Sequence, residues 1–291
     1  MELIKRIALG TAQLGMDYGI TNHKGKPSSE EAYQILQSAK NHNIQLLDTA
    51  ANYGSSEKLI GEFDTDHYFK VSTKIPSLEV NNFFNSASSF IENSLDALQR
   101  KKLDYCFLHE PMQLLLDNGN LIWEILIEAR KRQAIYKIGF SLYDEEQLAI
   151  LLENSFIPDV IQIPYNLFDR RFAQSRILDH IKDQGTEIHA RSIFLQGLLL
   201  LEENALPEKF LKYQHLWQDL NALVNAEKFK KLDYLMHFVL QDKRIDKVVI
   251  GISSQEELSE MIEGLYQDIN FDGNAKQLYC NDVSLLDPRR W

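Results

Sequence analysis

The 291-residue chain is poor in cysteine, in positive charge and in long apolar runs. Its two cysteines, Cys106 and Cys280, exclude a disulfide scaffold and argue against a structural zinc cluster. Lys and Arg number 31 against 42 Asp and Glu, a net charge of −11 with His counted as neutral. A nucleic-acid backbone needs clustered basic side chains, so this balance argues against it as the main partner. It leaves room for a small anion in a local basic cleft. No stretch approaches the ~18 consecutive apolar residues of a membrane span. The apolar run Ile7, Ala8 and Leu9 is too short for an export signal, and no small-residue cleavage site follows it. The expectation is a cytoplasmic protein with reduced thiols and no membrane partner.

Apolar residues make up 44% and charged residues 25%, ordinary for a globular protein. The length allows one large domain or two small ones at ~100–200 residues each. Short β-branched and aromatic runs alternate with longer runs of helical period. Candidate strands end near Leu9, Asp48, Lys74, His109, Ser141, Pro164, Arg191 and Gly251. Candidate helices start at Ser28, with a capping-box Glu31, and cover roughly 55–63, 82–99, 120–133, 144–154, 174–184 and 254–269. The stretch 208–241 reads as two helical pieces. Eight strand–helix units over ~250 residues predict an α/β chain folded as a (β/α)8 TIM barrel. Apolar runs such as Val248-Val249-Ile250 are what a parallel sheet buried on both faces requires. A doubly wound sheet is disfavoured because Gly10-Thr11-Ala12-Gln13-Leu14-Gly15 lacks the dinucleotide spacing. The stretch 19–27 fails the P-loop pattern at Pro27. With no repeat or linker, 1–291 is expected to form a single domain, with 271–291 as its C-terminal tail.

Barrel chemistry gathers at the C-terminal ends of the strands. Asp48, Lys74 and His109 end three consecutive predicted strands, and Tyr53 follows in the loop after the second. Taken singly, each has a bland reading: a helix-capping Asp, a solvated Lys, a satisfied core His. Together they form a chemical set. A phenol titrates near ~10; a nearby ammonium favours phenolate and lowers that value. A carboxylate keeps a buried lysine charged and in place. A histidine beside the same point can hydrogen-bond a carbonyl oxygen. The set suits protonation of a carbonyl oxygen while another group attacks its carbon.

These residues lie in a recognisable pattern. Asp48-Thr49-Ala50-Ala51-Asn52-Tyr53-Gly54, with Ser56-Glu57 and Ile60-Gly61, resembles the signature of the aldo-keto reductases. The likeness continues in Ser72-Thr73-Lys74, Leu108-His109-Glu110-Pro111, Ile138-Gly139-Phe140-Ser141, Gln162-Ile163-Pro164-Tyr165-Asn166-Leu167, Gln196-Gly197-Leu198-Leu199 and Val249-Ile250-Gly251-Ile252-Ser253-Ser254. These matches run in family order over nearly the whole chain. The resemblance implies an eight-stranded barrel that transfers hydride from a nicotinamide cofactor to an aldehyde or ketone. It implies Tyr53 as general acid, Lys74 and Asp48 as the groups that tune it, and His109 as the group that orients the carbonyl. It places Gly10, Thr11 and Ala12 beside the nicotinamide, with Asp48 close by. Ser141 and Gln162 match the carboxamide partners. Ser192, Phe194, Leu195, Gln196 and Gly197 fall in the loop that wraps the pyrophosphate. Gly251, Ser253, Glu257 and Glu260 match the segment that holds the adenosine end. No metal is implied.

Departures from the family pattern bear on the cofactor and the substrate. Leu142 stands where the family commonly has Asn, removing one carboxamide partner. Arg191 stands where a tyrosine usually stacks on the nicotinamide; it would reach toward the cofactor or an anionic substrate. Gly251 and Glu257 replace basic residues of NADPH-preferring members. NADPH is the expected cofactor, with weak discrimination and NADH as the alternative. The expected partner is a small carbonyl compound, with a sugar-derived one as a candidate; the oligomeric state is open. Asp169-Arg170-Arg171 and Trp291 are candidates for the substrate mouth, against helix capping and exterior packing. The segment 204–224 is a candidate lid. Two other functions compete: a redox-sensing, cofactor-binding regulatory subunit on the same barrel, and a metal-dependent hydrolase. The complete quartet weighs against the first and the absence of a clustered ligand set against the second.

Overall fold

The computed structural model describes residues 2–22, 24–79, 83–269, 271 and 278–291. Eight strands form its centre: β1 (Ile7–Gly10), β2 (Leu46–Asp48), β3 (Lys70–Ile75), β4 (Leu103–Leu108), β5 (Ile135–Ser141), β6 (Val160–Pro164), β7 (Glu187–Arg191) and β8 (Lys247–Gly251). Each pairs in parallel with the next, and β8 returns to β1 to close the barrel. The (β/α)8 expectation therefore holds, and the observed strand ends fall within one residue of the expected ones. Inside the barrel, Ala8, Leu46, Tyr105, Phe107 and Val160 form their own cluster. A larger apolar layer fills the space between strands and helices. This double burial explains why the strand sequences read as nearly unbroken apolar runs.

Local chemistry sets the helix starts. Ser28 caps the helix Ser29–Asn41, accepting from the Glu31 N–H while the Glu31 side chain accepts from the Ser28 N–H. Asp144 and Ser254 cap the helices Glu145–Glu153 and Gln255–Gly264 by accepting from the Gln147 and Glu257 N–H groups. Three expectations need revision. The helix expected over 174–184 is broken, because Ser175 is extended and its Oγ accepts from the Ile177 N–H. A local side-chain bond of this kind competes with helix propagation. The last outer helix stops at Gly264 rather than 269, tightening into i→i+3 turns at Tyr266 and Gln267. The helix expected over 82–99 ends at Ala97, with Gln99 in the left-handed region at φ 52°; position 82, its expected start, lies outside the described residues, as do positions 272–277 of the tail. The 208–241 stretch contains two helices, Gln214–Glu227 and Lys231–Leu240, preceded by a 3-10 turn over Glu208–Tyr213.

Strand register determines which side chains meet at the rim. Gly10 is opposite both Asp48 and Gly251; Asp48 is opposite Ser72; Ser141 is opposite Gln162; Arg191 is opposite Pro164. The C-terminal ends of all eight strands thus surround a single opening.

Candidate active site

A cleft opens at this rim, where a parallel barrel gathers its chemistry. Gly10, Thr11, Ala12, Asp48, Tyr53, His109, Gln162, Arg191, Ser192, Phe194, Gln196, Gly197 and Gly251 line it. Lys74 and Ser141 sit one step behind, fully buried. Leu195 turns its side chain into the core. Ser253, Glu257 and Glu260 lie outside the cleft wall, at the start of the helix Gln255–Gly264. There the Glu257 carboxylate accepts from the Ser253 N–H at 2.7 Å and from its hydroxyl at 2.8 Å, while Glu260 pairs with Lys230.

Behind the cleft, Asp48 and Lys74 form a buried ion pair with Nζ 2.6 Å from Oδ2. Lys74 also donates to the Thr49 carbonyl at 2.9 Å. The other Asp48 oxygen accepts from Ser72 Oγ at 2.7 Å and from Gln162 Nε2 at 2.8 Å. Burial alone would raise the Asp48 carboxyl; the Lys74 charge and these hydrogen bonds outweigh it and hold the group below its ordinary value. A carboxylate only accepts hydrogen bonds, so this contact fixes the Gln162 amide with its NH2 toward Asp48. Gln162 Oε1 is left buried with no hydrogen-bond partner, and so is Ser141 Oγ, its neighbour in register.

Tyr53 sits in the turn after β2, its N–H on the Ala50 carbonyl. Gly15 allows that turn to close: a Cβ there would lie 1.9 Å from the Tyr53 carbonyl oxygen. The Tyr53 ring lies 5.1 Å from Lys74 Nζ and 6.3 Å from the His109 ring. One expectation is reversed here. Lys74 does not pull the phenol toward phenolate, because its charge is spent on Asp48. Desolvation, followed by the Asp48 charge, pushes the Tyr53 phenol well above its ordinary value, with Arg191 opposing. His109 goes the other way: burial, then Lys74 and Arg191, hold the imidazole down at about 3. Near neutral pH the cleft therefore presents a protonated phenol beside a neutral imidazole. That pair can donate hydrogen bonds to a carbonyl oxygen and deliver a proton as charge develops there.

The loop after β7 is held in a sparsely populated backbone state. Ser192, Leu195 and Gln196 have φ of 58°, 48° and 55°, and Gly197 follows at 88°. Non-glycine residues in this region cost about 1–3 kcal/mol each and concentrate at functional sites. Several cleft features escaped the sequence reading. Tyr18 is one: it accepts from Gln196 Nε2 at 3.3 Å and its phenol is raised to about 12, chiefly by burial. Gln13 and Tyr143 also line the cleft. Tyr18 comes from the irregular segment after the short helix Ala12–Gly15, where no periodicity marks it. Asp169, Arg170 and Arg171 do not line the cleft; Asp169 is buried against Arg171, and Arg170 lies over Phe238. Trp291 packs edge-on against Phe210, in the segment that was a candidate lid. Among the described residues no group of three or more His, Cys, Asp or Glu is placed to hold a metal, and no helix is long and apolar enough to cross a membrane.

The aldo/keto reductase family model matches residues 6–271. The chain belongs to the aldo/keto reductase family. Within it, the chain is 27% identical over 212 residues to the oxidoreductase sirO of Leptosphaeria maculans, covering 69% of this chain but only 63% of that protein. It is 25% identical to a D-threo-aldose 1-dehydrogenase of a Pseudomonas species, covering 88% of this chain and 90% of that one. An aldo-keto reductase from Bacillus halodurans, solved in a holo form, superposes with a TM-score of 0.77 at 17% identity over 98% of this chain and 95% of that one. The chain spans between about half and under two thirds of the length of several of the curated relatives it matches, and the family is one that uses NAD(P)H.

Proposed function

We propose that this aldo/keto reductase reduces an aldehyde or ketone to the alcohol with NAD(P)H, and that Tyr53 is the general acid. The observation that carries the reading is the protonated phenol and neutral imidazole facing one cleft, backed by the buried Asp48–Lys74 pair. The chain's residues also fit a nicotinamide. A carboxamide offers one acceptor and an NH2 donor; Ser141 Oγ and Gln162 Oε1 are the two buried polar atoms left to meet them. Bound there, the cofactor would supply the hydride. Tyr53 and His109 hold the carbonyl oxygen, Tyr53 releases its proton to that oxygen, and Asp48 and Lys74 keep the cleft's charges in place. A sugar-derived carbonyl is among the candidates, supported by the relative named for an aldose. A screen of carbonyl compounds, followed by loss of reduced-nicotinamide absorbance, tests the reading; no turnover across neutral and charged aldehydes and ketones would sink it.

Burial sets an expected pH profile. With His109 held down at about 3 and Tyr53 held up, neither changes charge between about pH 5 and pH 9. For a neutral aldehyde, kcat/KM for reduction should stay level through that window. A step near the ordinary imidazole value of ~6.5 would contradict a neutral, desolvated His109.

Cofactor choice turns on Glu257. Its carboxylate already occupies the Ser253 N–H and hydroxyl, donors that would otherwise serve a 2′-phosphate. We expect NADPH and NADH to be used with weak discrimination. Glu257→Gln should lower KM for NADPH by roughly three- to tenfold relative to NADH, the scale of removing one exposed like charge. An unchanged ratio of the two KM values would remove Glu257 from cofactor choice.

A further inference from the structure

Two guanidinium groups converge on one ring at the cleft mouth. Arg191 Cζ lies 4.5 Å from the centroid of Tyr143, and Arg289 Cζ, from the C-terminal segment, lies 3.3 Å from the same centroid. Tyr143 and Arg191 both line the cleft. Although it ends β7, Arg191 reaches across the end of β6, donating to the Leu142 carbonyl at 3.0 Å. Its side chain therefore points away from β8, where Ser253 and Glu257 lie. It also donates to the neutral Ser192 hydroxyl at 3.1 Å. Among the described residues it has no carboxylate within ion-pair distance. Arg289 is different: Asp287 accepts from its Nε at 2.9 Å and its Nη2 at 2.7 Å, which holds it in place over the ring. The remaining carboxylate that acts on Arg289 is Glu110.

The positive field of the pair extends to the reacting groups. Both guanidiniums help hold His109 neutral, and Arg191 works against the rise of the Tyr53 and Tyr18 phenols. A part-buried guanidinium with only neutral acceptors keeps a strong demand for an anion, and its planar fork suits a carboxylate or phosphate. In a chain of net charge −11, a basic mouth is a local arrangement of these residues rather than a property of the whole surface.

We propose that Arg191 and Arg289, laid over Tyr143, form an anion subsite that selects carbonyl substrates carrying a carboxylate or phosphate group. This rests on the cleft being a carbonyl-reducing site. The competing source of the anion is the cofactor's own pyrophosphate. Matched substrate pairs separate the two: 4-carboxybenzaldehyde against methyl 4-formylbenzoate, and glyceraldehyde 3-phosphate against glyceraldehyde. In the wild-type enzyme the charged member of each pair should have a kcat/KM about tenfold or more above the neutral one, the scale of a charge-assisted hydrogen bond. Arg289→Ala should bring the ratio down several-fold while kcat/KM for the neutral member stays within about twofold. Arg191→Gln should bring the ratio near unity. Calorimetric titration of the cofactor-free protein with 4-carboxybenzyl alcohol and its methyl ester should show the same preference, and Arg289→Ala should lose it.

Tyr53-dependent turnover with equal use of charged and neutral carbonyls would overturn the subsite and leave the reductase reading standing. So would an Arg191→Gln enzyme that binds NAD(P)H weakly yet keeps the preference, since that assigns the guanidinium to the cofactor. If no carbonyl is turned over, the reductase reading falls. The titration then decides the subsite alone: carboxylate binding lost in both arginine variants supports it, and none in the wild type ends it.

Discussion

Replacing Tyr53 by Phe should lower kcat/KM for aldehyde reduction by about 10²–10⁴-fold, the usual contribution of a positioned general acid. NAD(P)H affinity should stay within about threefold, since the ring and its packing remain and one hydroxyl is lost. The size of the effect follows from the environment. The phenol is held above its ordinary value by desolvation and by Asp48, so it keeps its proton until the carbonyl oxygen gains negative charge. His109 is unable to substitute as a proton source, because with its titration held down at about 3 it carries no extra proton near neutral pH. A residual rate reflects carbonyl polarisation by the imidazole. Steady-state kinetics and cofactor fluorescence titration on the same preparation check both halves. A rate within tenfold of wild type, with cofactor binding intact, would show that the proton comes from elsewhere. Tyr18 would then be the next group to test, since its ring lies 6.5 Å from Tyr53.

Much of this site can be read directly from the chain, for an identifiable reason. Three of the four proposed reacting groups sit at strand ends, and in a parallel barrel strand ends are marked by the change from an apolar run to a polar residue. Asp48, Lys74 and His109 all stand at such changes. Ser56 and Glu57, prominent in the matched signature, proved to be scaffold. Ser56 Oγ donates to Thr11 Oγ1 at 2.8 Å, and Glu57 accepts from Thr73 Oγ1 at 2.5 Å. The sequence could not show Tyr18, Tyr143 or Arg289. Tyr18 and Tyr143 line the cleft and Arg289 lies over Tyr143, all from loops or a terminal segment, where no period fixes direction and only tertiary contact brings the side chain in. Nor could it give the sign of the Tyr53 shift. That depends first on how deeply the phenol is buried and then on the Asp48 charge beside it, and neither can be read from the chain.

Lys74→Met should cost about 3–5 kcal/mol of stability at neutral pH, the range for a buried charge that loses its partner. For a chain of this size that corresponds to a Tm lower by roughly 6–15 °C. Asp48 is 4% exposed and Lys74 1%, so water cannot take over the role of the ammonium. Ser72 and Gln162 still donate to Asp48, but neutral donors do not balance a charge. The loss should depend on pH with a defined sign. In the wild type the folded Asp48 carboxyl titrates below its ordinary 3.8, so it contributes stability above that value and loses it as pH falls. Without Lys74, burial dominates and the carboxyl should titrate above its ordinary value. The folded variant then binds a proton more readily than the unfolded chain, and its deficit should shrink as pH falls from about 7.5 to about 5. The double variant Asp48→Asn, Lys74→Met should recover most of the stability, because it removes the stranded charge and keeps an acceptor for Ser72 and Gln162. It should remain slow in aldehyde reduction, since the field that orders Tyr53 and His109 is gone. Denaturation of the wild type and the two variants at two pH values checks this. A deficit unchanged with pH, or a double variant as unstable as Lys74→Met, would show that Lys74 acts here by filling space and not by neutralising Asp48.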